Sequence, residues 1–274
     1  MRDPVIMRSG FSSRLKTALA PREPIRRPTY LLLGILSFIL VLIIWSALTY
    51  SGMIPPLFLP TPTAILRDAV KLFREMNFTT DILATTLRVL VGFAVATLLG
   101  VPLGILVGTF KVAEALVEPL VAFIRYMPAS AFIPLLILWI GINEVEKVAV
   151  IFLGVFFQLV LMVAVAAISV PRELLEVSYT LGTSRSRVLW RVLLPAAMPD
   201  IVDSLRLILG WAWTYVIVAE LIAASSGIGN TILKSMRMLN TGNIIVGILT
   251  IGFLGLIFDY LFKWLHRALF PWTE

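Results

Sequence analysis

The chain has 274 residues, 59% of them hydrophobic and 14% charged, with a mean hydropathy of +0.96. A soluble domain of this length needs a far more polar surface, so this is an integral membrane protein. It contains no cysteine, which excludes disulfides and thiolate chemistry, and its net charge of +7 sits mostly at the ends of hydrophobic runs, as membrane topology rather than nucleic-acid binding requires.

A spanning helix needs about 20 mostly apolar residues. Residues 1–29 read as a basic segment interrupted by Pro21, Pro24 and Pro28, without signal-peptide order, ahead of a transmembrane domain over 30–270. Tyr30–Tyr50 is the first span. After it, Thr61-Pro62-Thr63 looks like a helix start, with Ile65, Ala69, Leu72 and Phe73 on one face and charged residues mostly on the other. The second span runs from Val89 to Phe110, with a start near Thr80. The third, Pro128–Ile142, is short and broken by Pro134, so a kinked span that recruits residues before Pro128 is expected. Val148–Val170 is the fourth span, Ile201–Ala224 the fifth and Ile244 to about Leu265 the sixth. The fold expected is all-α, a polytopic membrane bundle of about six helices.

With both termini on the inside, fifteen Lys and Arg fall in inside segments (Lys111 and Arg125 among them) and six in outside segments, with Arg88 and Arg206 within spans. The positive-inside rule therefore puts the termini, and the polar segment 171–198, in the cytoplasm. That segment carries Arg172, Glu173, Glu176, Arg185, Arg187 and Arg191. Pro171 can open a short helix to Tyr179, Gly182 allows a sharp turn, and Thr183 or Ser184 could cap a second helix through Trp190 that ends before Pro195. The product is a compact knob, either a docking surface or an ordinary interfacial helix pair.

The run Glu176-Val-Ser-Tyr-Thr-Leu-Gly182, followed nine residues later by Val192-Leu-Leu-Pro195, resembles the cytoplasmic coupling loop of ABC-importer permeases, with Val177 and Ser178 where that pattern has alanines. Further resemblance to the permeases for nitrate, sulfonates and taurine lies in Arg125-Tyr-Met-Pro-Ala-Ser-Ala-Phe-Ile-Pro-Leu-Leu-Ile-Leu-Trp-Ile-Gly141, in Leu205-Arg-Leu-Ile-Leu-Gly-Trp-Ala-Trp213 with Ala219-Glu-Leu221, in Ser226-Gly-Ile-Gly229 and in Leu59-Pro-Thr-Pro62. The resemblance implies a type I ABC importer permease in the inner (plasma) membrane, with the coupling loop at about 171–195. Glu173, Glu176, Ser178, Leu181, Gly182 and Arg185 would then be the ATPase-coupling residues. It implies four kinds of partner: a second copy of the chain, two ATP-binding cassette ATPase subunits, an external solute-binding protein or lipoprotein, and membrane lipid.

The chain has no Gly-x-x-x-x-Gly-Lys-[Ser/Thr] loop, so it needs no cofactor of its own, and ATP and Mg would be bound by the partner ATPase. It is not expected to be an enzyme or to hold a metal; its single histidine, His266, reads as an interfacial cation. The translocation-path candidates are the polar or large residues inside or next to spans: Arg88, Met127, Gln158, Arg206, Trp213 and Glu220. Arg206, Gly210, Trp213, Ile217 and Glu220 share one helical face. A structural pair with Asp203 competes with a path role for Arg206, and Glu220 could instead pair with Arg88. The resemblance suggests a small anion as solute, such as nitrate, a sulfonate or taurine, or bicarbonate, with a thiamine precursor as the alternative. From a different class, an ion-coupled secondary transporter would need corresponding halves and leaves the polar loop without a purpose.

Overall fold

The computed structural model describes residues 27–273, so the basic segment proposed over 1–29 lies almost wholly outside the described residues. These residues are helical apart from turns and connections. Two compact units divide the chain at Pro62.

The first unit holds helix α1 (Arg27–Tyr50), which buries no side chain between Tyr30 and Ile44. Lipid tails solvate such a surface as well as protein does, so a fully apolar, unpacked helix is stable there. After it, the Trp45 indole donates to the Pro60 carbonyl at 3.1 Å and holds the chain that follows close to the helix end.

The second unit contains α2 (Pro62–Glu75), α3 (Phe78–Thr109), α4 (Lys111–Arg125), α5 (Ile133–Ile140), α6 (Glu144–Ile168), α7 (Arg172–Thr180), α8 (Arg185–Val188), α9 (Leu194–Ala223), α10 (Ile228–Arg237) and α11 (Thr241–Leu269). Helix α2 starts at Pro62 and buries Ile65 and Leu72, the face its periodicity indicated. Helices α1, α3, α6 and α11, together with the 39-residue run Arg185–Ala223, are long and apolar enough to cross a membrane. The bent pair Lys111–Arg125 and Ala129–Ile140, with an angle of 84° between its arms, makes a sixth if counted as one broken span.

Helices α3 and α6 form the centre, and their contact is set by small residues. Gly92, Ala96, Gly100, Gly104 and Gly108 recur every fourth position of α3 and so lie along one face. A Cβ placed on Gly104 would stand 2.6 Å from Val163 Cβ and 2.7 Å from the Val160 carbonyl; one on Gly92 would stand 2.7 Å from Ile151. The backbones therefore meet where a side chain would otherwise separate them. Helix α9 closes the core with Ile208, Ala212 and Val216 against Val155 and Leu159 of α6, and Phe258 and Phe262 of α11 pack on its rim.

One sequence expectation needs correction. No separate helix ends before Pro195: α8 passes through a π turn at Leu189–Leu193 directly into α9, carrying Pro195 and Pro199 with it. The carbonyl that the Pro195 ring would strike in a regular α-helix is that of Arg191, four residues back, and Arg191 lies inside the widened turn. The helix Lys111–Arg125 ahead of Pro128 forms the bent pair with Ala129–Ile140, in line with the expected kinked span that recruits residues before Pro128.

The glycine contact yields a direct test. Gly104→Val should destabilise the bundle by about 1–3 kcal/mol or more through overpacking. Gly34→Val in α1, where a Cβ meets nothing within 4 Å, should leave the melting temperature of the detergent-solubilised protein unchanged. Equal melting of the two variants would contradict the packing account.

Candidate functional site

Three features occupy successive levels along α9: a knob before its first residue, a tapering cavity beside its middle and a buried ion cluster at its end.

The knob is α7, a four-residue turn and α8. Its turn is a Schellman closure: the Gly182 amide donates to the Tyr179 carbonyl at 2.9 Å and the Thr183 amide to the Ser178 carbonyl at 3.1 Å. Such a turn needs a left-handed residue, and Gly182 supplies it at φ +77°. Helix α7 buries none of its side chains, and Leu181 at the tip is 79% exposed. Glu173, Glu176, Gly182 and Arg185 are exposed beside it. The Ser178 hydroxyl, half-buried, donates to the Leu174 carbonyl at 2.7 Å, so this side chain is spent inside the knob. Among the described residues no ion pair involves Arg172, Glu173, Glu176, Arg185, Arg187 or Arg191. The surface thus carries unspent charges of both signs beside exposed Val177, Leu181 and Trp190.

At the other end of α9 lies a polar cluster. Arg88 of α3, 3% exposed, donates to Glu220 of α9 at 2.7 Å, to Glu144 at the start of α6 at 2.5 and 2.6 Å, and to the carbonyl and hydroxyl of Ser226 at 2.8 and 2.9 Å. Glu220 is fully buried, and it also accepts from the Thr85 hydroxyl at 2.8 Å and from the Gly229 amide at 2.8 Å. The Thr85 oxygen in turn accepts from the Ile228 amide at 2.9 Å. Asp81 accepts from the Gly227 amide at 2.7 Å and the Thr231 hydroxyl at 2.6 Å. Two carboxylates thereby meet the free amides at the start of α10, where a helix favours negative charge.

The glycines of Ser226-Gly-Ile-Gly229 make this possible. Gly227 is at φ +109°, and a Cβ there would run into the Glu220 carboxylate and Arg88 Nη1; one on Gly229 would stand 2.6 Å from Glu220 Cβ. The pairing of Arg88 with Glu220 was readable as an option in the sequence. Asp81, Thr85, Glu144 and Ser226 were not anticipated, although Asp81, Thr85 and Arg88 repeat at helical spacing and so mark one face of α3.

Between these ends a cavity of about 520 Å³ is lined at its wide part by Val107, Glu114, Glu118, Leu161, Ser169 and Asp200, all but Glu118 and Leu161 at or near the knob-side ends of their segments. A smaller chamber of about 40 Å³ is lined by Met127, Ala129, Phe157, Trp211 and Tyr215 among others, and Arg125 and Gln158 line both spaces. The Tyr215 ring lies flat on Gly154, in the space a Cβ would fill.

Of the six path candidates, Met127 and Gln158 line these spaces. Arg88 and Glu220 sit in the ion cluster. Arg206 is bonded to Asp203 at 3.2 Å and lies 3.1 Å from Asp259, which also meets Lys263 at 2.6 Å. Trp213 is buried in the core, its ring 5.7 Å from that of Phe258. Arg125 and Tyr215 were not among the candidates; Arg125 entered the sequence reading only in the count of inside basic residues and at the head of the run Arg125–Gly141.

The geometry describes a membrane bundle with one exposed polar knob and an internal cavity, the layout of a transport permease. Binding-protein-dependent transport system inner membrane component is the family whose pattern matches residues 100–274. The chain is 39% identical over 248 residues to a probable ABC transporter permease of Brucella abortus, covering 90% of this chain and 98% of that one. It is 31% identical over 256 residues to the taurine transport system permease TauC of Escherichia coli, covering 92% of each. An inward-facing structure of the MetNI methionine ABC transporter shares the fold, with a TM-score of 0.64 at 19% identity over 70% of this chain and 95% of that one. The chain belongs to the family of binding-protein-dependent transport inner membrane components: it is an ABC-importer permease, a multi-pass inner-membrane protein.

Removing one partner of a buried pair leaves the other charge uncompensated. Arg88→Met should therefore lower stability by about 3–5 kcal/mol, read as a fall in melting temperature of the solubilised protein. Adding Glu220→Leu to Arg88→Met should recover part of that loss. An unchanged melt for Arg88→Met would show that the cluster does not hold the bundle.

Proposed function

We propose that this permease forms, with a second copy of itself, the membrane path of an importer for a small oxyanion, a sulfonate or taurine foremost, with nitrate and bicarbonate in the same chemical class. Two ATP-binding cassette subunits, which bind ATP and Mg, dock on the knob, and an external solute-binding protein delivers the solute at the opposite end. The knob and both termini then face the cytoplasm. The likeness to the taurine permease supports the solute class. The knob is the single observation that carries the coupling role: an ordered helix pair, exposed over α7 and its turn, whose charges form no ion pair among the described residues and which is continuous with a spanning helix.

The same continuity suggests how coupling works. Helices α3, α6 and α9 are packed along their lengths and tied at the far end by Arg88, Glu144 and Glu220. A push on the knob therefore turns the bundle as one body instead of sliding one helix past another, and alternating access is a population shift between its orientations.

Glu176 and Gly182 provide the test. Neither packs in the bundle, so Glu176→Ala and Gly182→Asp should reach the membrane at near-normal levels. Glu176→Ala should weaken retention of the ATPase about tenfold or more through loss of a charge-assisted contact. Gly182→Asp should strain the left-handed turn by about 1–2 kcal/mol and uncouple ATP hydrolysis from uptake. Permease abundance, ATPase retained in a pull-down and solute uptake are measured side by side. Normal retention with normal uptake in both variants would remove the coupling assignment.

A further inference from the structure

We infer that Arg125, with Gln158 and Tyr215, forms an anion-coordinating point inside the permease itself, at the neck between the two cavities. The inference rests on the oxyanion reading above and gives it a place in the fold.

Arg125 ends α4 where the span bends, and it lines both the wide cavity and the small chamber together with Gln158, which lies near the middle of α6. Its guanidinium donates to the neighbouring Tyr126 hydroxyl at 2.8 Å and lies 4.4 Å from that ring's centroid. Among the described residues it makes no ion pair. Gln158 and the Tyr215 hydroxyl make no hydrogen bond there either. Arg125 is exposed on the cavity wall, so three polar groups that line these spaces have bonding capacity left over for a solute, and polar groups in a span face a cavity or a partner. A planar guanidinium suits an oxyanion in particular, since its forked N–H groups match two oxygens.

The arrangement of charge adds a direction. The small chamber holds Arg125 as its one ionisable cation and no carboxylate, whereas Glu114, Glu118 and Asp200 all line the wide part towards the knob. Glu114 is already matched by Lys111 at 2.5 Å; among the described residues no ion pair meets Glu118 or Asp200. An anion leaving Arg125 for the knob side therefore passes from attraction to repulsion, which speeds release and opposes return. The small volume of the chamber keeps the contact to a few atoms, so the site holds its solute weakly, as a path must.

Because the chain has no cysteine, single cysteines can report the local potential in the full-length permease in nanodiscs. The probes are the anionic 2-sulfonatoethyl and the cationic 2-(trimethylammonio)ethyl methanethiosulfonates. Their rate ratio is compared at Met127→Cys, in the small chamber, and at Leu161→Cys, in the wide part. The anionic preference at Met127→Cys should exceed that at Leu161→Cys by on the order of tenfold. Arg125→Gln should abolish the difference and Arg125→Lys should keep it. Equal ratios at the two positions in the presence of Arg125, or loss of the difference with Arg125→Lys as with Arg125→Gln, would overturn the site; the comparison of positions needs no change at Arg125 and stands even if Arg125→Gln fails to insert. Uptake of taurine and nitrate by the assembled transporter separates the two readings. The expected potential with neither anion imported leaves the site standing and sinks the solute class. Import by Arg125→Gln at the unmodified rate leaves the solute class standing and sinks the site.

Discussion

A guanidinium buried among apolar helices must be met by carboxylates, and in this bundle one such requirement organises an entire end of the molecule. Arg88 draws Glu144 from α6 and Glu220 from α9 to the start of α3. The second carboxylate, in turn, needs the amides and glycines that begin α10. No single contact in this set is unusual. Their effect is collective, because the buried charges of Arg88 and Glu220 are compensated only while their segments stay together, with the largely exposed Glu144 closing the outer side of Arg88. The glycine face of α3 then keeps α6 in register along the remaining length.

The opposite end is built the other way. There the backbone is satisfied by a Schellman turn, while the charged side chains are left without partners. A fixed end, a packed middle and an unspent surface together make a body that can be moved from outside without being unfolded. The larger cavity lies on the knob side and the smaller chamber further along α9, with Arg125 and Gln158 lining both.

Most of the spans were legible because each is a mostly apolar run near membrane length; α1, α6 and α11 differ from the sequence reading by a few residues at their ends, α3 starts close to the Thr80 start that was offered, and α9 begins earlier, at Leu194 instead of Ile201. The ordered knob was legible because a polar island between spans has a periodicity and a glycine of its own. The join at Pro195 was not, since a proline normally argues for a helix boundary and nothing local announces a π turn that absorbs it. The place of Arg125 was not legible either, since only the 84° bend, a tertiary feature, sets it with Gln158 on both cavities. Glu220 and Arg88 stood out as charges within spans, but which of them line a path and which hold the bundle together depends on neighbours far away in the chain. Trp213 illustrates the same limit, since it is buried in the core beside Phe258 of α11 while Glu220, on the same helical face, meets α3 and α10.

The central claim is that knob and ion cluster belong to one rigid body. Spin labels at Glu176→Cys in the knob and Val145→Cys beside the ion cluster, in a chain otherwise free of cysteine and diluted with unlabelled copies, measure it directly by pulsed electron resonance in the assembled transporter. The account predicts a narrow distance distribution that stays unchanged, to within about the 1–2 Å of a small helix shift, between nucleotide-free and ATP-bound states. A distance that moves by about 5 Å or more, a full helical turn, would contradict it.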